Sequence, residues 1–140
     1  MDTPYLLLAE DDPDDREILR DALGQQRPGL GILCVDDGQR LIEYLDNCPS
    51  TQFPSIILLD YCLPLMSADQ ILDALSRKPR YRSIPKLVWS TSDKSEYARR
   101  CIERGALSYL PKPAAEPELA LLISGITRVL DLYGSTSASA

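Results

Sequence analysis

The sequence predicts a doubly wound α/β fold of five βα units, and three observations carry that expectation. Five short, nearly continuous apolar runs alternate with stretches whose apolar residues recur at helical spacing, the pattern of a parallel sheet covered by helices. Several of the runs stop abruptly at carboxylates or at a hydroxyl, as strands buried on both faces do when they end in loops. The length of 140 residues is that of one domain.

Tyr5-Leu6-Leu7-Leu8-Ala9 is the first strand, halted by Glu10-Asp11-Asp12-Pro13-Asp14-Asp15. Ile18, Leu19, Ala22 and Leu23 give the first helix its apolar face up to Gly24, and Pro13 suits its first turn. Ile32 to Val35 is the second strand, and Leu41, Ile42 and Leu45 mark a helix ending near Pro49. Ile56-Ile57-Leu58-Leu59 stops at Asp60, and Ala68, Ile71, Leu72 and Leu75 mark the third helix. Lys86-Leu87-Val88-Trp89 is the fourth strand, followed by a helix bearing Ala98, Cys101 and Ile102. Ala106 to Leu110 is the fifth strand, and the fifth helix runs from Glu116 to about Tyr133. Leu119, Leu122, Ile123, Ile126 and Leu130 can face the sheet from that helix, which leaves Leu121, Val129 and Leu132 as extra apolar surface. The alternation favours a parallel sheet with helices on both faces, joined by right-handed crossovers, and among doubly wound topologies the flavodoxin-like strand order 2-1-3-4-5 is expected. Residues 1–133 then form one domain, and Gly134 to Ala140 is a small polar tail expected to be disordered.

Composition excludes several kinds of chemistry. The chain has no His, which removes the commonest general base and metal ligand. With 15 Lys and Arg against 21 Asp and Glu, the formal charge is −6, which argues against nucleic-acid binding, since that draws on clustered cations. No apolar run approaches the roughly 18 residues of a membrane span, and Met1-Asp2 opens no basic leader; a cytoplasmic protein without membrane contact is expected. Cys34, Cys48, Cys62 and Cys101 form no CxxC pair and read as reduced, mostly buried thiols.

The acidic residues carry the functional signal. Ligands of open parallel sheets bind at the carboxyl ends of the strands, where the predicted order brings Glu10, Asp11 and Asp60 around one crevice. Three crowded carboxylates raise one another's pKa unless a cation compensates. A hard divalent cation is implied, with Mg2+ the best fit to oxygen ligands. Lys112 can bring an ammonium and Ser90 a hydroxyl to the same edge. Such a set suits phosphoryl transfer to a carboxylate nucleophile, for which Asp60 has the best position. The Glu10 to Asp15 run taken alone also reads as helix capping and solvation; the conjunction of several strand ends favours the site.

These residues resemble the receiver domain of two-component response regulators. Leu6-Leu7-Leu8-Ala9-Glu10-Asp11-Asp12-Pro13 is similar to the acidic first loop of that family, and Ile56 to Met66 to its phosphoacceptor strand and loop. Trp89-Ser90-Thr91-Ser92 resembles its hydroxyl switch, and Gly105 to Pro113 its lysine motif. The likeness spans about residues 4 to 133, with 30 residues from Asp60 to Ser90 and 22 more to Lys112. It implies that residues 1–133 are a receiver domain in which Asp60 accepts phosphate from a sensor histidine kinase or phosphotransfer protein. Glu10, Asp11, Asp60 and the backbone carbonyl of Cys62 would hold Mg2+, with Asp12 in an outer-shell role. Lys112 would contact Asp60 and then the phosphoryl oxygen, next to a cis Lys112–Pro113 bond. Ser90 and the aromatic Tyr109 would be the switch pair. The protein would be a phosphoacceptor that takes part in its own phosphotransfer and dephosphorylation, rather than an enzyme.

Ser67-Ala68, Thr91 and Ala114 depart from the Asp-Gly, small residue and Phe usual at those places. The Ser-Thr-Ser element is similar to that of single-domain regulators associated with phytochromes. Cys62 and Ser92 stand where the family tunes phosphate lifetime and offer no group to orient water, so slow self-dephosphorylation is expected. Output would pass through the face of helix 4, strand 5 and helix 5 to a downstream protein target, with a homodimer through helices 4 and 5 as a further expectation. The alternatives are a degenerate receiver used as a phosphorylation-independent interaction module and an Asp-nucleophile phosphohydrolase; Asp60-Tyr61-Cys62 lacks the second Asp of the latter.

Overall fold

A computed structural model describes residues 3–134. Five strands and five helices alternate: β1 (Tyr5–Ala9), α1 (Pro13–Gln26), β2 (Gly31–Val35), α2 (Gly38–Asp46), β3 (Ile56–Asp60), α3 (Ala68–Ser76), β4 (Lys86–Ser90), α4 (Ser95–Glu103), β5 (Ser108–Pro111) and α5 (Glu116–Val129). The strands are parallel in the order β2-β1-β3-β4-β5, the expected doubly wound, flavodoxin-like arrangement. The tail from Ser135 lies outside the described residues.

The period-2 pleat divides each central strand between two cores. Leu7, Ala9, Ile57, Leu59 and Val88 meet residues of α2, α3 and α4 on one face. Leu6, Leu8, Ile56, Leu58, Leu87 and Trp89 meet α1 and α5 on the other. Burial on both faces explains the unbroken apolar runs of β1, β3 and β4.

Several details differ from the sequence expectation. Ile18 is 43% exposed, because α1 turns only Leu19 and Leu23 fully inward and Ile18 falls at the edge of so narrow a stripe. Val129 is half-buried against the α5 core rather than exposed. Strand β5 begins at Ser108, since Ala106 closes the preceding turn through its N–H to the Cys101 carbonyl (3.0 Å). Cys62 is exposed and Cys34 half-buried, whereas Cys48 and Cys101 are buried; all four are free thiols. A strand-end loop and an edge strand leave the first two uncovered.

Gly38 opens α2 where a side chain has no room. A Cβ there would lie 2.6 Å from Ile71 Cγ1 and Cδ1 and 3.2 Å from Met66 Cβ. Overpacking costs roughly 1–3 kcal/mol, against up to about 1 kcal/mol gained from helix propensity. Gly38→Ala is therefore expected to lower stability by about 1 kcal/mol in chemical denaturation. An unchanged midpoint would show that Ile71 yields freely.

Candidate phosphoacceptor and metal site

The carboxyl ends of β1, β3, β4 and β5 build the site, and in-register pairing of the strands brings their last residues level. Asp60 ends β3 and pairs with Trp89 of β4, and Ser90 pairs with Pro111 of β5. Lys112 continues β5, its N–H donating to the Ser90 carbonyl (2.8 Å). Glu10 and Asp60 are buried, and Asp11 is exposed.

One carboxylate oxygen each from Glu10, Asp11 and Asp60 lies within 4.8 Å of the others. The Lys112 ammonium stands among carboxylates, 2.9 Å from Glu10 Oε1, 2.8 Å from Asp15 Oδ2 and 3.4 Å from Asp60 Oδ1. Glu10 Oε2 accepts the Asp12 N–H (3.1 Å), and Asp60 Oδ1 accepts the Cys62 N–H (3.4 Å). Burial pushes the Glu10 carboxyl up to about 7, and the charge of Asp60 adds to this against the opposing pull of Lys112. Burial likewise raises Asp60, opposed by Lys112. For Lys112, burial disfavours the charge, but Asp15, Glu10 and Asp60 outweigh it and hold the ammonium above its ordinary range.

Such a cluster could hold a divalent cation. Buried Glu10 Oε1 has no well-aligned hydrogen-bond donor even with Lys112 nearby, and the donors are all hard oxygens. The residues fit Mg2+, which would supply positive charge against the carboxylates and against an incoming phosphoryl group.

The loop after Asp60 is tightly built. Met66 N–H donates to the Pro64 carbonyl (2.8 Å) across Leu65, whose φ of 72° is the strained left-handed form of a γ-turn. Ser67-Ala68 starts α3 where Asp-Gly was the family pattern. Ser67 N–H donates to Gln70 Oε1 (3.0 Å), and Ala68 N–H to the Tyr61 carbonyl (3.1 Å).

Ser90 and Tyr109 meet through Ser92. The Ser92 N–H donates to Ser90 Oγ (3.0 Å), and the Tyr109 hydroxyl donates to the Ser92 carbonyl (3.3 Å). Tyr109 packs edge-on against Tyr61, with ring centres 6.2 Å apart. Tyr61 in turn stacks on Tyr97 of α4 at 4.4 Å.

Sequence reasoning missed this aromatic row, which joins three separate elements at no fixed spacing. It also missed Asp15, whose place in an acidic run at a helix start disguises its contact with Lys112. Asp12 is the N-cap of α1, accepting from the Asp14 N–H at 2.8 Å. The Lys112–Pro113 bond is trans, since no cis bond occurs among the described residues; this corrects the expected cis form. Trans carries the intrinsic preference of about 0.5–1 kcal/mol, and from it Lys112 already reaches all three carboxylates.

Residues 6–124 match the response regulator receiver domain family. The chain belongs to that family. As a receiver domain of two-component signalling it is of a kind that serves as a signalling phosphoacceptor. It is 29% identical over 125 residues to the two-component response regulator ORR5 of Oryza sativa subsp. japonica, covering 89% of this chain and 90% of that one. ORR11 of Oryza sativa subsp. indica is 28% identical over 123 residues, covering 88% and 80%. The phosphorylated cyanobacterial phytochrome response regulator RcpA has the same fold, with a TM-score of 0.78 at 24% identity over 95% of both chains. The Mn(2+)-bound form of response regulator Rcp1 gives 0.77 at 24% identity, covering 88% of this chain and 91% of that one. Among the described residues no helix of the receiver is long and apolar enough to cross a membrane.

Proposed function

We propose that this receiver accepts a phosphoryl group on Asp60, with Mg2+ held by Glu10, Asp11, Asp60 and the backbone carbonyl of Cys62. The carrying observation is a buried carboxylate at a strand end, 3.4 Å from an ammonium and within 4.8 Å of two further carboxylates. An Asp60 oxygen would attack phosphorus as the phosphorus–nitrogen bond of a kinase or phosphotransfer-protein phosphohistidine breaks and the imidazole leaves. Lys112 would offer its charge to the phosphoryl oxygens.

Phosphate on Asp60 replaces a carboxylate of charge −1 by an acyl phosphate of about −1.5 to −2, a net gain of at most about one negative charge, and brings strong acceptor oxygens. Ser90 would release the Ser92 N–H and donate to it, and Tyr109, tied to the same Ser92, would respond. The population of the α4–β5–α5 face would shift for a downstream target or a second copy of the chain. Exposed Ile102 of α4 and Leu121 of α5, 47% and 73% accessible, support a homodimer there. A mass that rises with concentration on phosphorylation, read by light scattering, is expected; a constant monomer mass would remove the dimer.

The test of the main reading is intact mass after incubation with Mg2+ and acetyl phosphate. One phosphoryl adduct, abolished by a chelator, is expected. No adduct would leave the phosphorylation-independent interaction module.

A further inference from the structure

The Lys112 ammonium has three carboxylate neighbours, and two of them, Glu10 and Asp60, belong to the cation set. A doubly charged ion drawing on those oxygens repels the ammonium. Asp15 is the third neighbour, nearest at 2.8 Å and outside the cluster of Glu10, Asp11 and Asp60. We propose that Asp15 is the positioning residue for Lys112, keeping the ammonium beside Asp60 when the cation takes Glu10, Asp11 and Asp60.

Asp15 is built for that part. Its backbone N–H approaches the capping carboxylate of Asp12 in the first turn of α1, so its Cα is fixed by the helix start. The next residue ties that turn down, with the Arg16 guanidinium on the Glu10 carbonyl and on Asp36. The Asp15 side chain is 27% exposed and that of Lys112 9%, so solvent screens the pair only in part. A lysine on a free four-carbon stem has many rotamers. An anchor that does not compete with the cation restricts them to those near Asp60. The inference rests on the phosphoacceptor reading, because it concerns how Lys112 serves Asp60.

The chain's single Trp gives a direct reporter. Lys112 Nζ lies 5.0 Å from the centre of the Trp89 ring, so Trp89 emission follows displacement of the ammonium. The experiment compares wild type, Asp15→Asn, Asp15→Glu, Lys112→Gln and the double variant Asp15→Asn with Lys112→Gln. Mg2+ is titrated by Trp89 fluorescence, and the rate of adduct formation with acetyl phosphate is measured at saturating Mg2+.

Asp15→Asn is expected to change Trp89 emission and to slow adduct formation by about tenfold, the size of one lost charge-assisted hydrogen bond. Asp15→Glu should recover most of the rate. In the Lys112→Gln background the same Asp15→Asn change should cost less than about twofold, since Asp15 acts through Lys112. Asp15→Ala carries the same expectation should the amide variant misfold. An Asp15→Asn rate equal to wild type, or an equal loss in both Lys112 backgrounds, would overturn the inference and leave the phosphoacceptor reading standing. A wild type that forms no adduct overturns both.

Discussion

Asp60→Asn is expected to lose the phosphoryl adduct completely and, without divalent cation, to melt a few degrees above the wild type. The first half follows from chemistry: a neutral amide is no nucleophile toward phosphorus, while its oxygen can still accept the Cys62 N–H. The second half follows from electrostatics. Burial raises the Asp60 carboxyl despite Lys112, so the folded chain binds this proton more tightly than the unfolded chain. Stability is then lost as pH rises from the unfolded carboxylate range through the raised folded value. The amide removes that cost, and each kcal/mol removed raises the melting temperature by about 4 °C for a domain of this size. Intact mass and thermal melting in chelator read both halves. An adduct retained in Asp60→Asn would move the phosphoryl group to another side chain. A lower melting temperature would show that the attraction of Lys112 outweighs the burial of Asp60.

The same balance explains what the sequence could reveal. The apolar runs of β1, β3 and β4 are legible because both faces of these strands are buried, and the strand order is one of the doubly wound topologies that right-handed crossovers allow. Glu10, Asp60, Ser90 and Lys112 are legible because a strand end fixes where each must fall. Asp15 is not, since its role depends on a side chain 97 residues away and its neighbours Asp12 and Asp14 give it the look of capping. The row of Tyr61, Tyr97 and Tyr109 is silent for a like reason: the residues belong to a loop, a helix and an edge strand. The start of β5 was misplaced because Ala106 is buried by a turn, and burial alone does not tell a turn from a strand.

Lys86 is the other charged residue whose position the sequence conceals. Opening β4 it has the look of a solvated strand end, yet it is only 8% exposed. Its ammonium donates to the Tyr81 carbonyl at 2.6 Å. Burial alone pushes it down, from 10.5 to about 8. A base with a depressed folded pKa costs stability below that pKa, and the cost fades as pH rises toward the unfolded value. Across this window the penalty is at most about 3 kcal/mol. Lys86→Met keeps the unbranched stem and forfeits one hydrogen bond, worth about 1 kcal/mol. The Tyr81 carbonyl is not orphaned, since it also accepts the Ile84 N–H at 3.2 Å. The variant is therefore expected to gain about 1–2 kcal/mol at pH 7 in denaturant unfolding. The two stability curves should converge between about pH 8 and 10.5, because the wild type alone sheds its buried charge there. Parallel curves, or a loss at pH 7, would show that the folded protein solvates the ammonium as well as water does. Lys86 lies at the opposite end of β4 from Ser90, so acetyl phosphate should label Lys86→Met on Asp60 at the wild-type rate.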